Sequence, residues 1–288
     1  CSNFSCWLRS MAYEDIKMKL SVTSWSFPQC NFKESVGLSN LLDINAIDIG
    51  YFYRSALDKD LLLKDYNKIL DQINSFEIEY ANLYHLFGNS LEDRNLADIN
   101  NLSANKEDLT KVTNFCSDAN IPSIFVLPGV TNPGQSRKDA LKNSIESLKT
   151  LLEITSKKNV QLLIEPHVHS FLESPEIVLD LINSVPGIKL VLDYAHFSCL
   201  GYTQDSIDVL AKHAGHVHLR QAKSGFLQTK LEEGTLNFPA MFGKLSEVGY
   251  DKYLAIEYVH QNYMMTMYDD VLSETIKMRD LFNKWKGD

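Results

Sequence analysis

The sequence lacks a long apolar run, a long basic run and any CxxC motif. No stretch approaches the ~20 apolar residues that a membrane-spanning helix needs, so no transmembrane segment is predicted. The formal net charge of -9 argues against a nucleic-acid partner, because phosphate backbones are bound by clustered lysine and arginine. The five cysteines are irregularly spaced, which is typical of free thiols in a reducing compartment, and a cytoplasmic protein is predicted.

The N-terminal segment lacks a recognisable periodic pattern. Residues 1–17 are therefore predicted to be a poorly ordered leader, and residues 18–288 to form one domain. Met11 and Met18 are both candidates for the natural start. Cys1 leaves a second interpretation open, in which the chain begins at the lipidated end of an exported lipoprotein.

Short apolar segments alternate with amphipathic ones along the rest of the chain. Eight predicted strands cover residues 18–27, 45–51, 77–86, 121–128, 160–165, 188–193, 215–220 and 253–258. Eight predicted helices cover residues 32–42, 61–75, 106–119, 137–158, 175–185, 205–213, 238–249 and 269–284. Alternation of this kind predicts a parallel sheet, and eight units predict a single-domain α/β protein, a (β/α)8 TIM barrel.

Four of the predicted strands end in a residue that can bind a metal ion. These residues are Glu165, Asp193, His218 and Glu257. A buried, unpaired charge at a strand end is costly, so four in succession indicate convergence on a cation. A mostly oxygen-donor set suits Mn²⁺, Mg²⁺ or Co²⁺, and Zn²⁺ is an alternative. Each residue alone also has a plain structural interpretation, as a glutamate paired with a loop lysine or a histidine satisfied in the core.

Further polar and aromatic residues lie near the same strand ends. His167 follows the Glu165-Pro step and His85 ends the third strand, so both are candidates for substrate binding. Arg220 is a candidate for binding a hydroxyl or an anion, and Trp25 for an apolar wall against one face of a substrate. The alternatives are a loop hydrogen bond for the histidines, a solvated charge for Arg220 and a core position for Trp25.

Several short motifs from residue 160 onward carry a family resemblance. They are Glu165-Pro-His167, Asp193-x-x-His196, His216-Val-His218-Leu, Gly234-x-Leu-x-Phe238 and Ile256-Glu257. Together they resemble the sugar phosphate isomerase/epimerase family of xylose-isomerase-like TIM barrels. That group includes the ketose 3-epimerases, hydroxypyruvate isomerase and inosose dehydratase.

The resemblance implies roles for individual residues. Glu165, Asp193, His218 and Glu257 would bind one divalent ion, commonly manganese in this family. Glu165 and Glu257 would also act as acid and base on opposite faces of the substrate, and His196 would lie close to the substrate or the metal. Barrels of this group often pair, so a homo-oligomer is a further expectation.

The implied reaction is proton abstraction next to a carbonyl of a sugar or keto-sugar, through an enediolate, giving isomerisation or epimerisation. Loss of a β-substituent from the same intermediate would instead make the protein a lyase or dehydratase, and a non-catalytic sugar-binding or partner subunit is a further alternative. An endonuclease of abasic DNA is disfavoured, since the loop 221–234 has no Asp or His to complete a multi-metal cluster. No phosphate-cradling glycine loop occurs, and the substrate's phosphorylation state is left open.

Overall fold

A computed structural model describes residues 17–260 and 270–287 of the chain. Eight parallel strands close into a barrel in sequence order, and β8 pairs with β1. The strands are β1 Lys19–Thr23, β2 Ala46–Ile49, β3 Glu79–Tyr84, β4 Ser123–Val126, β5 Gln161–Ile164, β6 Lys189–Asp193, β7 Ala214–Leu219 and β8 Tyr253–Ile256. The predicted single (β/α)8 barrel is confirmed.

Helices surround the barrel in the part of the chain that the structure describes. They are α1 Phe32–Leu41, α2 Lys59–Asn74, α3 Leu102–Asp118, α4 Arg137–Ser156, α5 Pro175–Ser184, α6 Tyr194–Cys199, α7 Gln204–Asp208, α8 Phe238–Glu247 and α9 Val271–Lys286. Helix α6 was not predicted, because six mostly apolar residues directly after a strand show no separate helical period. The predicted helix 205–213 is instead the short α7 and a 3₁₀ turn, Ala211–His213.

Most helices begin at a short polar side chain that accepts a hydrogen bond from a backbone N–H in the first turn. Such caps satisfy donors that have no partner inside the helix. Asn31 caps α1 in this way, and Glu34 bonds back to the Asn31 backbone N–H. Asp58, Ser136, Ser174, Asn237 and Asp270 cap α2, α4, α5, α8 and α9.

The barrel interior contains both apolar and polar side chains. A small apolar cluster of Trp25, Phe125, Leu163, Val191 and Val259 lies apart from the large core formed by strands and helices. A buried polar layer lies in the barrel as well, made of Ser21, Asp48, Asn82, Ser123, His216 and His218. Branched apolar side chains usually dominate the interior of such a barrel. This polar layer differs from that composition, and each of its buried polar groups needs a hydrogen-bond partner.

Residues 1–16 of the predicted leader 1–17, which include Cys1 and Met11, lie outside the described residues. The remaining leader residue, Lys17, is exposed, whereas Met18 is buried. Cys30, Cys116 and Cys199 are free thiols. Within residues 17–260 and 270–287, no helix combines the length and the apolar character that crossing a bilayer requires.

Candidate metal centre and cavity

Four strand ends bring Glu165, Asp193, His218 and Glu257 together. Glu165 directly follows β5, Asp193 ends β6, His218 lies in β7, and Glu257 directly follows β8. Asp193 pairs in register with His218, and the Glu257 backbone N–H bonds to the Leu219 carbonyl at 3.0 Å. One ligand atom from each of the four lies within 4.8 Å of the others, and all four residues are buried. The expected convergence is therefore present, and the ligand roles remain a prediction.

His218 lies between the two glutamates. Its Nδ1 is 3.0 Å from Oε1 of Glu165 and 3.1 Å from Oε2 of Glu257. The other oxygen of Glu257 accepts a 2.7 Å hydrogen bond from the Trp25 indole. Trp25, in the 3₁₀ turn Ser24–Ser26 after β1, thus fixes the carboxylate of Glu257 in addition to forming an apolar wall.

Asp193 is held by its own helix and by Arg220. Oδ1 of Asp193 accepts the Ala195 backbone N–H at 2.8 Å and thereby caps α6. Oδ2 accepts hydrogen bonds from Nε and Nη2 of Arg220 at 3.0 and 2.7 Å. The same Nη2 lies 3.5 Å from Oε2 of Glu257. One guanidinium therefore offsets part of the negative charge of the cluster.

Burial and neighbouring charges shift the pKa values of Glu165 and Glu257 in opposite directions. Burial raises the pKa of Glu165 to about 7, and the charges of Glu257 and Asp193 add to the effect while His218 opposes it. Burial also acts to raise the pKa of Glu257, but the positive charges of His218 and Arg220 outweigh it and lower the pKa to about 2. Burial acts to lower the pKa of His218, yet Glu257, Asp48 and Glu165 raise it well above 6.5. Two adjacent carboxyls with separated pKa values suit an acid and a base.

The cluster fits a divalent cation on three grounds. It combines three carboxylates with one imidazole, a donor set that suits Mn²⁺, Mg²⁺ or Co²⁺ and accommodates Zn²⁺. Two of its buried atoms, Oε2 of Glu257 and Nε2 of His218, make no hydrogen bond. Three carboxylates within this distance repel one another unless protons or a cation compensate them.

A cavity of about 290 Å³ opens onto the cluster. Its polar wall consists of Glu165, His167, His196, Arg220 and Glu257, and its apolar wall of Trp25, Phe52, Tyr53, Tyr84, Leu91, Leu227 and Val259. Four of the five predicted substrate residues line this cavity: Trp25, His167, His196 and Arg220. Their contact with substrate remains a prediction.

The two cavity histidines are neutral at physiological pH. Burial lowers the pKa of His167 to about 4, with a further contribution from Arg220. Burial, reinforced by His167 and Arg220, lowers the pKa of His196 well below 6.5. Their rings lie 4.2 Å apart, and Nδ1 of His196 accepts the Val168 N–H at 3.2 Å. Nε2 of His196 lies 3.1 Å from Nη2 of Arg220, and Nδ1 of His167 lies 2.6 Å from the Val168 carbonyl oxygen. Both rings therefore contribute to the polar wall without adding charge.

His85, the fifth predicted substrate residue, lies elsewhere. It follows β3, is fully buried, and its Nδ1 lies 3.1 Å from the Tyr51 hydroxyl. Burial and the charges of Lys59 and Arg94 lower its pKa to about 3. It is not among the residues that line the cavity. Substrate contact by His85 thus gains no support from the geometry.

Three aromatic residues of the cavity were not predicted from the sequence. Phe52 and Tyr53 follow β2, and Tyr84 ends β3, so the strand-end rule that indicated the metal cluster would also have found them. Trp25 meets Phe52 and Tyr84 edge to face, with ring centroids 6.1 and 5.8 Å apart. Tyr53 has a φ of 59°, a left-handed conformation that non-glycine residues adopt only uncommonly.

Comparisons with known proteins identify the family of the barrel. The model of the xylose isomerase-like TIM barrel family matches residues 42–279. A 2-oxo-tetronate isomerase of Pectobacterium atrosepticum is 23% identical over 53% of this chain and 60% of its own length. A putative hydroxypyruvate isomerase of Xenopus laevis is 26% identical over the same shares. The chain thus spans less than two thirds of the length of these curated relatives.

Solved structures resemble the whole barrel. An L-ribulose 3-epimerase superposes with a TM-score of 0.71 at 16% identity, covering 93% of this chain and 94% of its own. The IOLI protein, solved with a bound zinc atom, superposes with a TM-score of 0.69 at 17% identity, covering 93% and 99%. At such identities the likeness shows the shared fold.

Proposed function

The chain belongs to the xylose isomerase-like TIM barrel family, and we propose that it is a divalent-metal-dependent isomerase or epimerase of a sugar or keto-sugar. The observation that carries the proposal is the buried cluster of Glu165, Asp193, His218 and Glu257, of which Glu165 and Glu257 line the cavity. The names of the two curated relatives, both isomerases, support the reaction class.

In the proposed mechanism these four side chains would hold one divalent ion, which would supply Lewis-acid polarisation of the substrate's carbonyl. Glu257, ionised and fixed by the Trp25 indole, removes the proton next to that carbonyl. Glu165, whose pKa is raised by burial, gives a proton back on the other face or at the neighbouring carbon. His196 and His167 orient the substrate's hydroxyls from the polar wall.

The cavity favours an uncharged sugar over a sugar phosphate. Among the described residues that line it, Arg220 is the one lysine or arginine, and its guanidinium already pairs with Asp193. The aromatic wall of Trp25, Phe52 and Tyr84 can stack on the apolar face of a sugar ring.

Manganese is the proposed ion, with magnesium, cobalt and zinc as its competitors. Three carboxylates and one imidazole make an oxygen-rich site, and manganese prefers oxygen ligands. Zinc is more often bound by sites rich in nitrogen and sulfur ligands. A cytoplasmic location and a homo-oligomer accompany this proposal as predictions from the sequence.

The test combines metal analysis with isotope exchange. We expect purified protein to contain about one divalent ion per chain, and the chain to catalyse solvent deuterium uptake by a member of a panel of ketoses and keto-glycosides. Sugar phosphates of the same series should exchange more slowly. No bound metal after incubation with excess Mn²⁺, Co²⁺, Mg²⁺ and Zn²⁺ would overturn the proposal. An eliminated product would reassign the protein as a lyase, and tight sugar binding without exchange would make it a binding protein.

Metal affinity should depend on pH, because the cluster carries a proton that a cation displaces. His218 retains a proton at neutral pH and Glu165 has a pKa of about 7. We therefore expect Mn²⁺ binding to release about one proton, that of the His218 imidazolium, because Glu165 keeps its proton for the reaction. The affinity should then rise roughly tenfold per pH unit below the pKa of His218. Calorimetry in two buffers of different ionisation enthalpy counts the protons released. Affinity that is independent of pH would contradict this proton balance.

A further inference from the structure

A buried carboxylate that is not part of the metal cluster lies next to His218. Asp48 of β2 is completely buried. Its Oδ1 accepts the Ser21 hydroxyl of β1 at 2.8 Å, and its Oδ2 lies 2.6 Å from Nε2 of His216 in β7. The carboxylate is thus fixed from both sides, by two strands other than its own. Neither the mechanism above nor the comparisons give it a role.

His218 presents its two ring nitrogens to two different environments. Nδ1 faces the carboxylates of Glu165 and Glu257 at 3.0 and 3.1 Å. Nε2 faces the barrel interior, is buried and makes no hydrogen bond. It lies 3.7 Å from Oδ2 of Asp48. The ring is also packed edge-on against Phe125, with centroids 5.4 Å apart. A modest shift of either side chain would therefore close the gap between Nε2 and Asp48.

Binding a cation through Nδ1 determines what the other nitrogen must do. The lone pair of Nδ1 is then used for coordination, so the ring proton resides on Nε2, which needs an acceptor in a site without bulk water. A carboxylate in that position orients the ring and makes the coordinating nitrogen a better donor. Asp48 is the carboxylate that lies there, and Ser21 and His216 keep it in place.

We propose that Asp48 is a positioning residue of the metal centre, which holds His218 with Nδ1 directed at the cation and is itself held by Ser21 and His216. This inference rests on the proposed metal-binding function. A purely structural role for Asp48 makes a different prediction. Its loss would then lower the stability of the barrel and leave the metal affinity of the folded protein unchanged.

The experiment measures the Mn²⁺ dissociation constant by calorimetry, together with thermal unfolding. Asp48→Asn keeps the size of the side chain and removes its charge. We expect it to bind Mn²⁺ about 10- to 100-fold more weakly. The visible absorption of the Co²⁺-loaded protein should also change, since it reports the coordination geometry. Neither readout depends on substrate turnover.

Asn82→Ala is the matched control. Asn82 is equally buried, pairs in register with Asp48 on the adjacent strand β3, and bonds to the Ser123 hydroxyl at 2.6 Å. We expect this variant to be less stable than the wild type but to bind Mn²⁺ with the same affinity. Equal Mn²⁺ affinity of Asp48→Asn and wild type, or an equal loss in both variants, would overturn the inference.

Ser21→Ala keeps the test decisive if Asp48→Asn does not fold. It removes one of the two bonds that fix Asp48, and we expect a loss of Mn²⁺ affinity of a few-fold. Unchanged affinity in this variant, with Asp48→Asn unfolded, counts against the positioning role. Failure of the wild type to bind any metal would overturn the proposed function itself, so the two failures are distinguishable.

Discussion

Replacing Glu257 by glutamine is expected to slow exchange of the substrate's carbon-bound proton with solvent by about 10²- to 10⁴-fold. The amide cannot act as a base, whereas the native carboxylate is ionised because His218 and Arg220 lower its pKa to about 2 against the effect of burial. The amide oxygen can still coordinate a cation, so bound metal has to be measured in the same sample. Deuterium incorporation measures turnover, and comparing it with the bound metal in the same sample distinguishes loss of the base from loss of the ion.

Glu165→Gln should behave differently from Glu257→Gln. In the direction in which Glu257 removes the proton, Glu165 delivers one to the product, so its loss should stop product formation while deuterium still exchanges into recovered substrate. Glu274→Gln is the matched control, because Glu274 is a buried carboxylate on α9 that pairs with Lys277 away from the cavity. Loss of exchange in Glu165→Gln but not in Glu257→Gln would reverse the two roles.

Arg220→Met is expected to destabilise the metal-free protein by about 3–5 kcal/mol, since removing one partner of a buried ion pair leaves the other uncompensated. Arg220 is 4% exposed and donates two hydrogen bonds to Asp193, and its Nη2 also lies 3.1 Å from Nε2 of His196. Urea unfolding in the presence of a chelator measures this loss. A cation bound to Asp193 would compensate the same charge, so the loss of stability should shrink when Mn²⁺ is saturating.

The thermodynamic cycle then requires Arg220→Met to bind Mn²⁺ more tightly than the wild type. Each 1.4 kcal/mol of recovered stability corresponds to about tenfold in affinity. Arg94→Met is the matched control, because Arg94 pairs with Asp108 at 2.8 Å away from the cluster. Its loss of stability should be the same with and without Mn²⁺. Equal or weaker Mn²⁺ binding by Arg220→Met would show that Asp193 is not a ligand.

The fold and the location of the candidate site followed from the sequence alone. Buried parallel strands are mostly apolar, and the chain has eight short strand-like segments in alternation with helical segments, which leaves few architectures other than a closed barrel. Glu165, Asp193, His218 and Glu257 interrupt or end such segments at their carboxyl ends. Because the carboxyl ends of parallel strands share one rim, the convergence of these side chains could be predicted without coordinates.

Only the tertiary structure decided how these residues are paired. The bond from the Trp25 indole to Glu257 joins residues 232 positions apart, and the pair of Asp48 and His216 joins residues 168 apart. No local period encodes such contacts, since they depend on barrel closure and on which layer each inward side chain occupies. The same holds for the opposite pKa directions of Glu165 and Glu257, which arise from the distances to His218 and Arg220. Sequence therefore determined which groups meet at the rim, and packing determined which of them carries a proton.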